Sequence, residues 1–168
     1  QKTNDYMTAY GDTDCIYATG EDYITPAADV IKSRGITDCK IYGSNISPSV
    51  CQLIMDGQVE ACTGGEFVCG SLAVTLLINY LDGNPIKDAD GTAPYFDNLT
   101  QFMVTAENAE DFYEFLSDEN LATHTISDEE YQNLLVRNNP DVDYDYFYDF
   151  LTNYEENVYA KVEANAAQ

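Results

Sequence analysis

Short apolar runs alternate with helical periodicities along the first half of the chain. Asp14-Cys15-Ile16-Tyr17-Ala18-Thr19 predicts a strand. Ile24, Ala27, Ala28 and Ile31 follow at i, i+3, i+4 and i+7, which predicts a helix ending at Gly35. Cys39 to Tyr42 predicts a second strand. Ser47-Pro48 combines an N-cap residue with proline at the first helical position, and Val50, Leu53 and Ile54 mark the buried side of the helix it opens, closed by Gly57. Gln58 to Cys62 predicts a third strand. A long apolar helix then runs from about Glu66 to Leu81 and ends at the turn Asp82-Gly83-Asn84-Pro85. Strand-helix alternation of this kind predicts an α/β fold, a doubly wound parallel sheet in three layers with right-handed crossovers.

The second half is less regular. A polar loop covers 88–98, Thr100 to Val104 predicts a further strand, and Thr105 is read as the cap of a helix with Ala109, Phe112 and Leu116 on one face. Ser127-Asp128-Glu129-Glu130 has the spacing of a capping box, with Tyr131, Leu134 and Leu135 inside. Tyr144, Phe147, Tyr148 and Leu151 make another helical face, and the small polar residues at 164–168 are expected to fray. The reading is a lobe over 1–116 and a helical extension over 117–168.

Charge narrows the function. The chain has 168 residues with 7 basic and 30 acidic side chains, a formal charge of −23, and 45% hydrophobic residues. That apolar share supports a core, and seven scattered cations cannot build a positive footprint for nucleic acid or an anionic membrane. No apolar run reaches the ~20 residues of a membrane helix. The start, Gln1-Lys2-Thr3-Asn4-Asp5, reads as that of a processed chain or a piece of a longer one. The five cysteines, Cys15, Cys39, Cys51, Cys62 and Cys69, form no CxxC pair, and the single histidine, His124, is far from them in sequence. They are read as mostly buried thiols, with a disulfide left open and no metal site or cofactor expected. Asp141-Val142-Asp143-Tyr144-Asp145 begins like a calcium loop, but Tyr146 and Thr152 stand where such a loop needs Gly and Glu, so the acids are read as helix caps.

Ligands of an open parallel sheet bind beyond the carboxyl ends of its strands. Three predicted loops qualify: Thr19 to Tyr23, Gly43 to Ser47, and Thr63 to Phe67. They offer carboxylates on Glu21 and Glu66, the amide of Asn45, hydroxyls, and aromatic rings, a set suited to a polyhydroxylated ligand. The structural alternatives are plain. Glu21 is also a favourable acid at a helix start, Ser47 reads as an N-cap, and Gly64-Gly65 as a tight turn. Asn45 is the leading candidate, since an exposed amide after a strand has no structural duty beyond a turn.

In this order the segments resemble the carboxyl-terminal lobe of type I periplasmic binding proteins, the sugar receptors of ABC transporters. The matching runs are Ala18-Thr19-Gly20-Glu21 with Ala27-Ala28 and Gly35, Gly43-Ser44-Asn45, and Leu53 to Ala61 with Asp56-Gly57 at its centre. Gly70-Ser71-Leu72-Ala73-Val74, Leu81-Asp82-Gly83-Asn84-Pro85 and Val104-Thr105-Ala106-Glu107-Asn108 continue the series. The resemblance covers about residues 5 to 116. It implies ligand contacts at Gly20, Glu21, Asn45 and near Gly64, with a polar set that departs from the family's at each position. It further implies half of a hinged receptor: a missing amino-terminal lobe, a sugar-like small-molecule ligand, ABC permease subunits as partners, and an extracytoplasmic location in the periplasm or as a cell-surface lipoprotein. The competing class is the effector domain of a LacI-type regulator or a sensor ectodomain. An enzyme is not expected, because no strand ends in paired acids and no nucleophile motif is visible.

Overall fold

The computed structural model describes residues 2–11, 13–66, 68–118 and 125–167. Helix α1 (Lys2–Ala9) leads to strand β1 (Cys15–Ala18), helix α2 (Glu21–Ser33), strand β2 (Lys40–Ser44), helix α3 (Pro48–Met55) and strand β3 (Ala61–Gly64). Helix α4 (Val68–Leu81), strand β4 (Phe102–Thr105) and helices α5 (Ala109–Ser117), α6 (Asp128–Asn133), α7 (Tyr144–Thr152) and α8 (Tyr154–Ala166) follow. The strands lie in the order β1-β2-β3-β4, and β1, β2 and β3 run parallel. The α/β sheet flanked by helices is the architecture that the alternation predicts.

The chain divides into two compact units. The first holds 1–64, 103–119 and 162–168, and the second 65–102 and 120–161.

In the first unit α2 covers the sheet through Ile24, Ala27, Ala28 and Ile31, all buried, the face that their spacing predicts. Gly43 makes that approach close: a Cβ there would lie 2.4 Å from Ile24 Cδ1. The Arg34 guanidinium ties α1 down, donating to the Asn4 carbonyl at 2.9 Å and to Thr8 Oγ1 at 2.6 Å. Helix α5 packs against α3, burying Phe112 and Phe115. Its N-cap is Asn108, not Thr105 as expected. Thr105 ends β4, and its amide donates to Asn108 Oδ1 at 2.8 Å.

The third strand starts three residues later than predicted. The amides of Gln58 and Val59 both close α3 by donating to the Leu53 carbonyl, so this segment belongs to the turn. The shift moves Gly64 from the expected loop into the strand, and α4 begins at Val68 rather than at Glu66.

In the second unit α4 buries Val68, Leu72, Thr75 and Asn79. The capping box at Ser127 and Glu130 forms as its spacing predicts. Phe96 stacks on Tyr144 at a ring-centroid distance of 4.9 Å, beside Phe147. Asp143 caps α7 through the Tyr146 amide, the capping role expected of this acidic run. The end of the chain holds a helix to Ala166 instead of fraying, because Tyr154, Val158 and Val162 recur every fourth residue and are buried. His124 lies outside the described residues.

Candidate functional site

Parallel register brings the strand ends to one edge. Ala18 pairs with Gly43, Gly43 with Cys62, and Ser44 with Thr63. Asn45 follows directly on Ser44 and Gly64 on Thr63, and Thr19-Gly20 leaves β1 directly after Ala18. The structure therefore gathers Gly20, Glu21, Asn45 and Gly64 on one rim of the first unit. Glu66 belongs to the second unit, half-buried. Its carboxylate is among the charges that act on the buried Tyr154 hydroxyl. Burial foremost raises the pKa of that phenol above its usual range, so it stays protonated.

Each rim residue has a local reason for its place. Gly20 is the N-cap of α2, extended at φ 178°, and gives no side-chain cap. Its carbonyl accepts from the Tyr23 and Ile24 amides, at 2.9 and 3.1 Å. Glu21 is the first residue of α2, where a carboxylate is favoured by the helix dipole. Asn45 is exposed and adopts φ 74°, a left-handed conformation that asparagine tolerates better than most residues. Its amide thus marks the turn out of β2 and also projects from it. Ile46 beyond it is buried and anchors the loop. Ser47 caps α3 by accepting from the Val50 amide at 3.3 Å, the N-cap role its position predicts.

Ser49 is a rim residue that the sequence does not single out. Its hydroxyl donates to Glu21 Oε1 at 2.9 Å and lies 3.4 Å from the Ser47 hydroxyl. The two helix starts are thereby joined by a polar track of Ser47, Ser49 and Glu21. Tyr23, 66% exposed, adds a flat aromatic surface in the first turn of the same helix. Carboxylate oxygens, hydroxyls and a side-chain amide can together satisfy vicinal hydroxyl groups, and an exposed ring can cover the C–H face of a sugar.

The cysteines take no part in the rim. Cys39, Cys51 and Cys62 are buried and Cys15 and Cys69 exposed, with no disulfide among the five. Burial pushes the pKa of Cys51 up to about 12. Among the described residues no group of three or more His, Cys, Asp and Glu side chains is placed to hold a metal ion, and no helix is long and apolar enough to cross a membrane.

No protein-family model matches the chain, and no curated protein matches it in sequence. Solved structures do. A periplasmic sugar-binding protein from Pseudomonas fluorescens superposes with a TM-score of 0.60 at 18% identity, over 86% of this chain and 43% of that one. The binding protein of the arabinose ABC transporter from Shewanella sp. ANA-3, bound to arabinofuranose, gives 0.56 at 21% identity, over 72% of this chain and 40% of its own. A galactofuranose binding protein gives 0.56 at 16% identity, over 71% and 40%. The fold is therefore that of the type I periplasmic binding proteins, as the sequence resemblance implies. The chain spans about two fifths of the length of these structures.

Proposed function

We propose that this chain is part of an extracytoplasmic solute-binding protein that captures a sugar-like ligand between two lobes and delivers it to an ABC permease. The observation that carries the reading is the convergence of Gly20, Glu21, Asn45 and Gly64 on the carboxyl edge of three parallel strands, in a fold shared with solved sugar-binding proteins. In open parallel sheets this edge is where ligands sit. The Glu21 carboxylate accepts hydrogen bonds from the ligand's hydroxyls, the serine hydroxyls accept or donate, the Asn45 amide does both, and the small residues Gly20 and Gly64 leave room for the ring. Glu66, the acid of the third loop, lies in the second unit and is proposed as a ligand contact in its own right. A receptor of the length of the solved structures would supply the opposing lobe, and closure of the two about a hinge would bury the ligand. No chemical step is assigned to the chain, and no cofactor.

A single lobe leaves most of a ligand in water, so the chain alone is expected to bind in the millimolar range. The test is an NMR titration of the chain with arabinose, galactose, ribose and myo-inositol, each to tens of millimolar. Saturable shifts confined to the amides of Gly20, Glu21, Asn45 and Gly64 are expected with at least one sugar. Shifts elsewhere, or none, overturn the site. Micromolar binding by this chain alone overturns the division of the site between two lobes.

A further inference from the structure

Two hydroxyl groups are shut inside the second unit. Tyr154, the first residue of α8, is 1% exposed, and Thr125 is 2% exposed. Neither the Tyr154 hydroxyl nor Thr125 Oγ1 has a hydrogen-bond partner among the described residues. The two lie close enough for Thr125 to act on the phenol, yet without the geometry of a direct bond. A buried hydroxyl left in this way is costly, and native interiors ordinarily satisfy it with an ordered water. We propose that one water molecule is bound here, bridging the Tyr154 and Thr125 hydroxyls and the Glu66 carboxylate.

The surroundings fit a neutral ligand rather than an ion. The Lys161 ammonium donates to the Thr125 carbonyl at 3.1 Å and to Glu130 Oε2 at 2.5 Å, so the cation beside Thr125 already has its counter-charge. Water carries two donors and two acceptors, and each hydroxyl can give or take a hydrogen bond. Burial keeps the Tyr154 phenol protonated, so its proton goes to the water oxygen. One water proton goes to Thr125 Oγ1, and the other is left for a carboxylate. The carboxylates of Glu130 and Glu66 both act on the phenol. Glu130 Oε2 already receives Lys161 and the Ser127 amide, and Glu66 has an oxygen buried within the same unit, which makes Glu66 the acceptor. The water then makes three hydrogen bonds, about the usual number for a buried one.

The position matters because the third loop rests on the same ring. Gly65 adopts φ 116°, a conformation that favours glycine, and a Cβ there would lie 2.9 Å from Tyr154 Cε1. The ring therefore supports the loop at Gly65, and a water bonded to its hydroxyl would hold the next residue, Glu66. In the proposed function Glu66 meets the ligand, and the water would fix its carboxylate from the inner side. That consequence rests on the sugar-binding reading; the water itself does not.

The experiment compares Tyr154→Phe, Thr125→Val and the double variant with the wild type, in urea unfolding and in high-resolution crystal structures. Both substitutions keep the shape of the side chain and remove only its hydroxyl. The wild-type crystal is expected to show one water peak within about 2.5–3.0 Å of both hydroxyls. Each single variant is expected to lose about tenfold in the folding equilibrium constant, because it strands the water and the remaining hydroxyl. The double variant should lose no more than either single one, since neither hydroxyl is left to be satisfied. A single variant as stable as the wild type, or more stable, shows that its hydroxyl had no bond to lose and overturns the proposal. Losses that add in the double variant, or a wild-type crystal without the peak, overturn it too. No sugar is present in these measurements, so their outcome is separate from that of the sugar titration.

Discussion

The Ser49 hydroxyl donates to Glu21 Oε1 at 2.9 Å, linking the first turn of α3 to the first residue of α2 across 28 positions of sequence. The bond engages one oxygen of the Glu21 carboxylate; in the proposed function the other serves the ligand. Ser49 is exposed and Glu21 half-buried, so the pair adds little to stability, about 0–1 kcal/mol. Its value lies in holding the rim in one arrangement. Ser49→Ala is expected to weaken the sugar-induced shifts at Gly20 and Asn45 several-fold while the melting temperature stays within experimental scatter. Glu21→Gln keeps an acceptor for Ser49 and should lose less than Glu21→Ala. Equal losses in the two Glu21 variants would show that the carboxylate charge, not the bond, sets the rim.

Gly43 is the point where rim and core meet. A methyl group there would approach Ile24 Cδ1 and Cγ1 at 2.4 and 2.8 Å and the Ala18 carbonyl oxygen at 3.1 Å. Ile24 is fully buried, and the carbonyl is backbone, so neither moves freely. Gly43→Ala should destabilise the fold by about 1–3 kcal/mol in urea unfolding. Adding Ile24→Val, which removes the methyl that clashes first, should recover part of that loss. A double variant no more stable than Gly43→Ala alone would point to the carbonyl contact as the whole cost.

Glu130 gives the second unit a pH-dependent clasp. Burial raises its pKa, but the Lys161 ammonium at 2.5 Å and the Ser127 amide and hydroxyl outweigh burial and hold the carboxyl below its ordinary value of 4.5. A depressed carboxyl stabilises the fold above the unfolded value and loses that contribution as pH falls through the folded one. Glu130→Gln should therefore cost about 1–2 kcal/mol at pH 7, with the gap to wild type narrowing once the pH drops below about 4.5. Urea midpoints at pH 7, 5, 4 and 3 measure it. A gap that is constant down to pH 3 would show that ionisation of Glu130 contributes nothing.

How far the sequence alone reaches follows from the range of each signal. Ser47-Pro48, the capping box at Ser127 and the buried face of α2 are encoded within one or two helical turns, and the structure reproduces them. The rim is legible because strand-helix alternation fixes which loops share an edge. What escapes is mostly long-range. The bond between Ser49 and Glu21 needs two loops to be adjacent, and neither serine nor acid announces the other. Arg34 reaches back 30 residues to hold α1, a helix with no strong periodicity of its own. Helix α8 is missed for a different reason. Its buried positions, Tyr154, Val158 and Val162, repeat every four residues amid acids and small residues, too sparse an apolar face to stand out from composition. The third strand slips because Gln58 and Val59 look like strand residues while their amides serve the end of α3.

Asn79 shows why a polar residue interrupts the most apolar helix of the chain. It is fully buried, its Nδ2 donates to the Leu134 carbonyl and its Oδ1 accepts from the Val136 amide, both at 2.9 Å. One side chain thereby satisfies two backbone groups just past the end of α6, 55 and 57 residues away. Asn79→Ala strands both groups in the interior and is expected to cost about 2–4 kcal/mol. Asn79→Leu, which restores volume but not the bonds, should be no better, because the cost comes from the unsatisfied backbone rather than from a void. Hydrogen exchange gives the local readout: the Val136 amide should lose protection in both variants under conditions where amides of the α2 core keep theirs. If Asn79→Leu matches the wild type in urea and at Val136, the clamp contributes nothing and the asparagine is merely tolerated.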